Sequence, residues 1–307
     1  MNDYPSIADL AKAPLDRIIK SWEGLGYYSR ARNLHEGAQY IVRRHRGNLP
    51  PSKKDLEKIK GLGPYTIGAI LSFAFHQKSP AVDGNTARVL SRYFMLSDDL
   101  SQGKTIGKFQ KIAYSILPDD SPWVVNEALI ELGAMICQRK PKCEICPISS
   151  SCKARLNKKE ENFPYKSKRT RYQSIFRFAT VILHENETLL RRVPRGEIMS
   201  DLHEFPYYEH GEGMEQNKLI ETAREKFTLD LEFSNALPKI FHTFTSFRVH
   251  LHPLLFLCSK KDPSFPFFWV NISRLNQLAF SSGHRRIAAS LIRSAYEKEN
   301  LQNLIAS

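Results

Sequence analysis

The sequence predicts an all-α first part followed by an α+β second part, and three observations lead there. From the N-terminus to about residue 156, apolar residues recur at the three-to-four-residue spacing of amphipathic helices. Four of the five cysteines lie within positions 137–152, at the end of that stretch. From residue 175 the period shortens to two. In "FRVHLHPLLFL", Phe247, Val249 and Leu251 face one way, and Arg248, His250 and His252 the other.

The elements follow in chain order. "PLDRIIKSWEGL" is an amphipathic helix stopped at Gly24, and "YYSRARNLHEGAQYIVRRHRG" restarts the helix until Gly47. "SKKDLEKIKGLG" opens with a serine cap and ends in glycines, and "YTIGAILSFAF" is short and strongly apolar. "GKTIGKFQKIAYSIL" and "PWVVNEALIELGAMIC" complete a helical domain, residues 1–156, whose last portion, 137–152, is a cysteine loop. Residues 157–173 are charged, poor in apolar side chains and contain Pro164, as a basic interdomain linker would be. Residues 174–307 are the second domain. "IFRFATVILHENETLLRRV" gives two strands around a turn at His184–Glu187; "GMEQNKLIETAREKF" and "HRRIAASLIRSAYEKEN" give helices.

Composition narrows the function. A chain of 307 residues accommodates two domains, and 42% hydrophobic content supplies ordinary cores. The formal net charge of +13 favours a polyanionic partner, nucleic acid ahead of a membrane surface; a solvated basic surface is the other reading. No apolar run reaches the roughly 18 residues of a membrane span. "MNDYPSIADLAKAPLDR" is polar and acidic, unlike a secretory leader. The expected setting is cytoplasmic and reducing, where clustered cysteines mean a metal or cluster site, not a disulfide framework.

Three stretches carry chemistry. "LEKIKGLGPYTIGAIL" (56–71) reads as helix, Gly-hydrophobe-Gly, helix. Gly61 and Gly63 allow a tight turn whose N–H groups, with the start of the second helix, suit a phosphate; a plain glycine-capped turn is the alternative. Asp83 in "PAVDGNTARVL" precedes an amphipathic run, so it either caps a helix or works as a carboxylate on a sugar. Cys137, Cys143, Cys146 and Cys152 give C-x5-C-x2-C-x5-C, a spacing open to a [4Fe-4S] cluster or a zinc ion.

Together these stretches resemble the helix–hairpin–helix DNA glycosylase superfamily. Three details, "GLGYYSRARNLH" (24–35), "GLGPYT" (61–66) and "VDGN" (82–85), are similar to the adenine DNA glycosylases within it. The resemblance implies an all-α helix–hairpin–helix glycosylase domain with a four-cysteine cluster loop, followed by an α+β Nudix-like domain. It implies a monofunctional enzyme that hydrolyses the glycosidic bond of adenine opposite 8-oxoguanine or guanine in duplex DNA. Such an enzyme works as a monomer away from membranes, on the nucleoid if bacterial. Asp83 then stands beside the sugar, oriented by Asn85 and Tyr65. Tyr27 wedges into the duplex, and Arg30, Arg32, Gly61 and Gly63 meet the backbone. The cysteines hold [4Fe-4S] in preference to zinc, with five residues in the first gap where the family has six.

The endonuclease III branch has a Schiff-base lysine where Tyr65 stands and a Thr-His pair at Gly84–Asn85, so the resemblance implies base removal without strand cleavage; a glycosylase/lyase is the alternative. In the second domain "HEFP" (203–206) matches a family motif. Arg224 and Glu225 remain of the Nudix metal helix but its Glu-Glu pair does not, so nucleotide hydrolysis is not expected. The family's lesion-reading Phe-Ser-His loop corresponds to Phe244, Thr245 and Ser246, whose two hydroxyls suit a purine edge. The family's general acid is a glutamate in a Ser-Glu-X-Met-Leu-Gln-Gln-Thr type segment, which the 307 residues do not contain. Glu23, the nearest acid in sequence, is expected to face solvent. On that reading excision is impaired, and a non-catalytic, damage-binding chain is a further alternative.

Overall fold

The computed structural model describes residues 3–165, 167, 172–227, 229–244, 246–261 and 266–305. Contacts divide it into two compact units, Met1–Ala11 with Glu36–Arg169, and Lys12–His35 with Thr170–Ser307. Residues 12–35, assigned from sequence to the helical domain, count here with the second unit. Short polar contacts account for this: Asp16 bonds Arg192, Lys20 Nζ donates to the Leu278 carbonyl at 3.1 Å, and Arg32 donates to the Ser200 carbonyl at 3.0 Å.

The first unit is helical. Ile41, Leu56, Ile59, Ile67 and Leu71 form one buried cluster, joining the end of helix Ser29–His45 to Lys53–Leu56 and Pro64–Ala69. Val82, Ala87, Leu90, Phe109 and Ala113 form another, between helices Gly84–Phe94 and Gly103–Ile116. Three predicted helices end differently from their periodicity. "SKKDLEKIKGLG" keeps only Lys53–Leu56, because tight turns follow: Lys58 N donates to Asp55 O, Ile59 N to Leu56 O and Leu62 N to Ile59 O. The helices Pro64–Ala69 and Pro122–Glu131 each widen into a π-turn, Ile70–Ala74 and Leu132–Ile136. Such turns displace the backbone and are frequent near functional groups. Both flank the Asp83 loop.

The second unit is built on one mixed sheet. Its strands are β1 (Gln173–His184), β2 (Glu187–Arg192), β3 (His203–Glu204), β4 (Tyr207–His210), β5 (Leu231–Ala236), β6 (Ile240–Phe244), β7 (Phe247–Cys258) and β8 (Phe267–Asn271). The main order is β3-β2-β1-β7-β5, with β4 on β1, β6 on β7 and β8 on β2. β1 and β7 run parallel, Gln173 opposite Phe247 through Leu183 opposite Leu257. The other pairs are antiparallel, and the β1–β2 turn lies where predicted, with His184 opposite Glu187. β1 is buried on both faces, as a central parallel strand must be. Ala179 and Val181 pack with Ile287, Ala288 and Leu291 of helix Ser282–Ile305. Phe178 and Ile182 pack with Leu219, Ile220 and Ala223 of helix Gln216–Lys226. The predicted alternation of β7 holds, with Val249 and Leu251 buried and Arg248 exposed. Among the described residues no helix is long and apolar enough to cross a membrane.

Candidate active site

Asp83 is the N-cap of helix Gly84–Phe94, as one of the two sequence readings has it. One carboxylate oxygen accepts the Thr86 N–H at 2.7 Å, as capping requires; the other accepts from Asn85 Nδ2 at 2.9 Å. The group is half-buried, so a face of it stays open. Asn85 is fixed in turn: its Oδ1 accepts from Arg88 Nη2 at 2.9 Å. Arg88 also donates to the Gly133 carbonyl from Nη2 and to the Cys137 carbonyl from Nε, each at 2.7 Å. A continuous chain of hydrogen bonds therefore runs from the carboxylate to the first cysteine.

The strand entering the loop is held as firmly. Asn126, 1% exposed, accepts the Ala81 N–H at 3.0 Å. Its Nδ2 donates to the Ser79 carbonyl and to Ser72 Oγ, each at 2.8 Å. Every polar group of that amide is used, which is how a buried amide avoids a desolvation penalty. Two glycines permit the approach. A Cβ on Gly68 would lie 2.0 Å from the Pro80 carbonyl oxygen, and one on Gly133 would lie 2.7 Å from Asn85 Cβ.

The hairpin presents Tyr65, 40% exposed, just after the turn. Gly61 adopts φ +89°, a conformation that costs other residues dearly. Gly63 is the N-cap of helix Pro64–Ala69, whose first position is a proline with no N–H to leave unpaired.

Cys137, Cys143, Cys146 and Cys152 line one cavity. Among the described residues no three His, Cys, Asp or Glu side chains converge on a single metal ion. The four thiols are thus gathered around one cavity of the helical unit. Arg92, 3% exposed, holds the loop with no carboxylate partner among the described residues. Its guanidinium donates to the carbonyls of Gln138 at 2.6 Å, Arg139 at 3.1 Å and Glu160 at 2.7 Å, and to Cys137 Sγ at 3.3 Å.

In the second unit, Tyr27 and Tyr28 have opposite fates. Tyr28 is buried, and its hydroxyl accepts the Gly24 N–H at 3.2 Å. Tyr27 takes a left-handed φ of 47° and is 72% exposed, a strained and projecting conformation. It lines one groove with Ser29, Arg32, Ile198, Thr243 and Phe244. Tyr27 and Phe244 thus line the same groove. Ser246 follows, its carbonyl accepting the Gln173 N–H at 2.9 Å. Thr245 lies outside the described residues.

Two expectations need correction. Glu23 does not face solvent: it accepts from Arg285 Nε at 2.7 Å, from the Phe280 N–H at 2.9 Å and from Lys20 Nζ at 2.5 Å. Burial alone would raise its pKa, but the hydrogen bonds from Arg285, Lys20 and Phe280 win and lower it. It stays a charged structural anchor. Arg32 is not a spare phosphate contact, being paired with Asp201 at 3.3 Å and with Ser200. Arg30 is exposed and lies over the Trp22 ring at 5.0 Å. Asn126, Arg88 and Arg92 were missed from the sequence. The available signal was an amide within the apolar run "PWVVNEALIE" and two arginines four apart on a helix with no acid to pair them.

Residues 1–113 match the model for HhH-GPD superfamily base excision DNA repair proteins, and residues 178–290 match the NUDIX domain. An adenine DNA glycosylase from Buchnera aphidicola subsp. Acyrthosiphon pisum is 34% identical over 255 residues, 82% of this chain and 71% of that protein. The Homo sapiens adenine DNA glycosylase is 39% identical over 163 residues, 52% of this chain and 30% of that protein. Among solved structures, a thermostable thymine-DNA glycosylase is 30% identical, with a TM-score of 0.46, over 51% of this chain and 72% of that one.

Proposed function

This chain belongs to the adenine DNA glycosylase family of base excision repair enzymes, and from that premise we propose that it hydrolyses the N-glycosidic bond of adenine paired with 8-oxoguanine or guanine in duplex DNA. The observation that carries the proposal is the state of Asp83: a half-buried carboxylate, fixed through both oxygens and joined through Asn85 and Arg88 to a rigid loop.

As the base leaves, positive charge builds on the sugar. A carboxylate that does not have to reorganise stabilises that charge. Asn85 and the Thr86 N–H hold it for this task. Tyr27, projecting from a strained turn, fills the gap left when adenine is extruded and offsets part of the unstacking cost of a few kcal/mol. The Gly61–Gly63 turn, with Arg30, supports backbone contacts that carry no sequence information. Tyr65 offers no amine, so water and not a lysine completes the reaction. Residues 1–156 carry excision, 157–173 link, and 174–307 read the opposite base through Phe244, Thr245 and Ser246. Cys137, Cys143, Cys146 and Cys152 would hold a [4Fe-4S] cluster, which supplies cross-linking of the loop that Arg88 and Arg92 grip.

The test is an alkali-cleavage assay with a gel shift on an A:8-oxoguanine duplex. Asp83→Asn is expected to lower excision by about 10²–10³-fold and leave binding intact. A fully active Asp83→Asn chain would remove Asp83 from the chemistry. Borohydride trapping of the chain on abasic DNA would turn the reading to a lyase. A second reading, binding of damaged duplex without excision, is favoured by the commitment of Glu23 to Arg285, which leaves no proton donor at that position. Tight binding by the unsubstituted chain with no abasic product would establish it.

A further inference from the structure

The turn that carries Tyr27 is strained along its length. Gly24, Gly26 and Tyr27 all take left-handed backbone, with φ of 88°, 67° and 47°. A residue with a side chain keeps such a conformation only where its surroundings over-determine it. Local bonds close the turn on itself. Trp22 Nε1 donates to the Gly26 carbonyl at 3.1 Å, the Arg30 N–H to the Tyr27 carbonyl at 2.8 Å, and the Gly24 N–H to the Tyr28 hydroxyl at 3.2 Å. These bonds fix the shape of the turn. Fixing its position takes an anchor on another element.

Glu23, directly before Gly24, is that anchor. Its Oε1 accepts from the Phe280 N–H at 2.9 Å and from Arg285 Nε at 2.7 Å. Its Oε2 accepts from Arg285 Nη2 at 3.1 Å and from Lys20 Nζ at 2.5 Å. Lys20 would suffice to balance the charge. The two-bond fork from Arg285 adds a fixed direction, which a lone ammonium does not. Arg285 is held in its turn. Nη1 donates to the Leu275 carbonyl at 3.1 Å, Nη2 to the Leu278 carbonyl, and the guanidinium lies 4.7 Å from the centre of the Phe280 ring.

The anchor joins two segments of the Tyr27 groove. Gly24 to Ser29 line it from one stretch of chain, and Ser281 and Ser282 from another. Glu23 adjoins the first stretch, and its partners Phe280 and Arg285 flank the second. One carboxylate thus sets the spacing between the Tyr27 turn and the start of helix Ser282–Ile305.

We propose that Glu23 and Arg285 are positioning residues for base extrusion: their ion pair holds the Tyr27 turn where the tyrosine enters the duplex, and so sets how readily adenine leaves the stack. The inference rests on the reading of Tyr27 as the side chain that fills the gap. Both residues act through Tyr27.

Two substitutions test it in the full chain, each made alone and together with Tyr27→Ala. Glu23→Gln keeps the volume and an oxygen for the Phe280 N–H, but turns a donor toward Arg285 Nη2 and Lys20 Nζ. Arg285→Lys keeps the charge and loses the fork. The probe is a duplex with uncleavable 2′-fluoro-2′-deoxyadenosine opposite 8-oxoguanine and 2-aminopurine beside it, whose fluorescence rises as its neighbour leaves the stack. Each single variant is expected to lower the extruded fraction about fivefold, with affinity for a fully paired duplex unchanged within about twofold. In the Tyr27→Ala chain the same substitutions should change extrusion by less than about twofold, since no side chain is left to position. A fivefold loss that persists without Tyr27 overturns the proposal, because the pair then only stiffens the unit. Unchanged extrusion in both single variants overturns it too. If Glu23→Gln fails to fold, Arg285→Lys with its Tyr27→Ala counterpart decides alone. Extrusion that Tyr27→Ala leaves intact overturns this inference and spares the glycosylase reading. No fluorescence rise in the unsubstituted chain fails that reading first, and this inference with it.

Discussion

Asp83 owes its position to residues far from it in sequence. Its immediate partners, Thr86 and Asn85, are local, but Asn85 sits where it does because position 133 has no side chain. A methyl group at Gly133 would lie 2.8 Å from the Asn85 carbonyl oxygen, which no ordinary contact allows. Gly133→Ala is therefore expected to push the loop, costing about 1–3 kcal/mol of stability and about tenfold or more in excision rate, since small misplacements at a reacting centre are expensive. Single-turnover excision measured beside DNA affinity checks this: a lower rate at unchanged affinity marks a displaced carboxylate. The same residues show what a sequence can and cannot disclose. The Asp83 cap, the hairpin turn at Gly61 and the grouping of the four cysteines were legible because a short motif carries each of them. Gly133 and Arg88 were not, because their meaning is a contact across 45 residues. Glu23 misled for a related reason. Its helix is amphipathic, but the arginine that captures it lies 262 positions away.

At the level of elements, the Asp83 loop is suspended between two helices that both change pitch beside it. Ser72 lies in the π-turn Ile70–Ala74, and Asn126 bonds to it from a helix that itself widens at Leu132–Ile136. Periodicity placed both helices correctly, since 3.6-residue spacing survives one wide turn. It gave no hint of the π-turns, which follow from packing around Asn126 and Gly133. It also overextended the helix at 52–63, where charged residues repeat helically but the chain turns early to form the hairpin. Asn126→Leu tests the suspension. The leucine fills the volume but leaves the Ala81 N–H, the Ser79 carbonyl and the Ser72 hydroxyl without this partner. A loss of about 2–4 kcal/mol is expected from stranding these buried groups. Urea titration of the helical unit reads the loss. A change within about 0.5 kcal/mol would show that the amide holds nothing.

For the whole molecule, pH acts on stability through the sheet unit, which buries a neutral imidazole, that of His284. His284 titrates near 6.5 when unfolded and is lowered to about 3 in the native state by burial, helped by His242, Arg177 and Arg191. Between these values the unfolded chain binds a proton that the folded chain refuses. The contribution of His284 to stability is thus complete above about pH 6.5 and declines as pH falls toward 3. By pH 5 the loss should reach roughly 2 kcal/mol. His242, also lowered by burial, acts with the same sign, while Glu204, raised by burial against the pull of Arg191, acts with the opposite one. Comparing denaturant midpoints at pH 7 and pH 5 in the unsubstituted chain and in His284→Asn isolates the single ring. The substituted unit should lose most of its pH dependence in that window and keep its cooperativity. Equal slopes in the two proteins would mean that His284 is already solvated in the folded state.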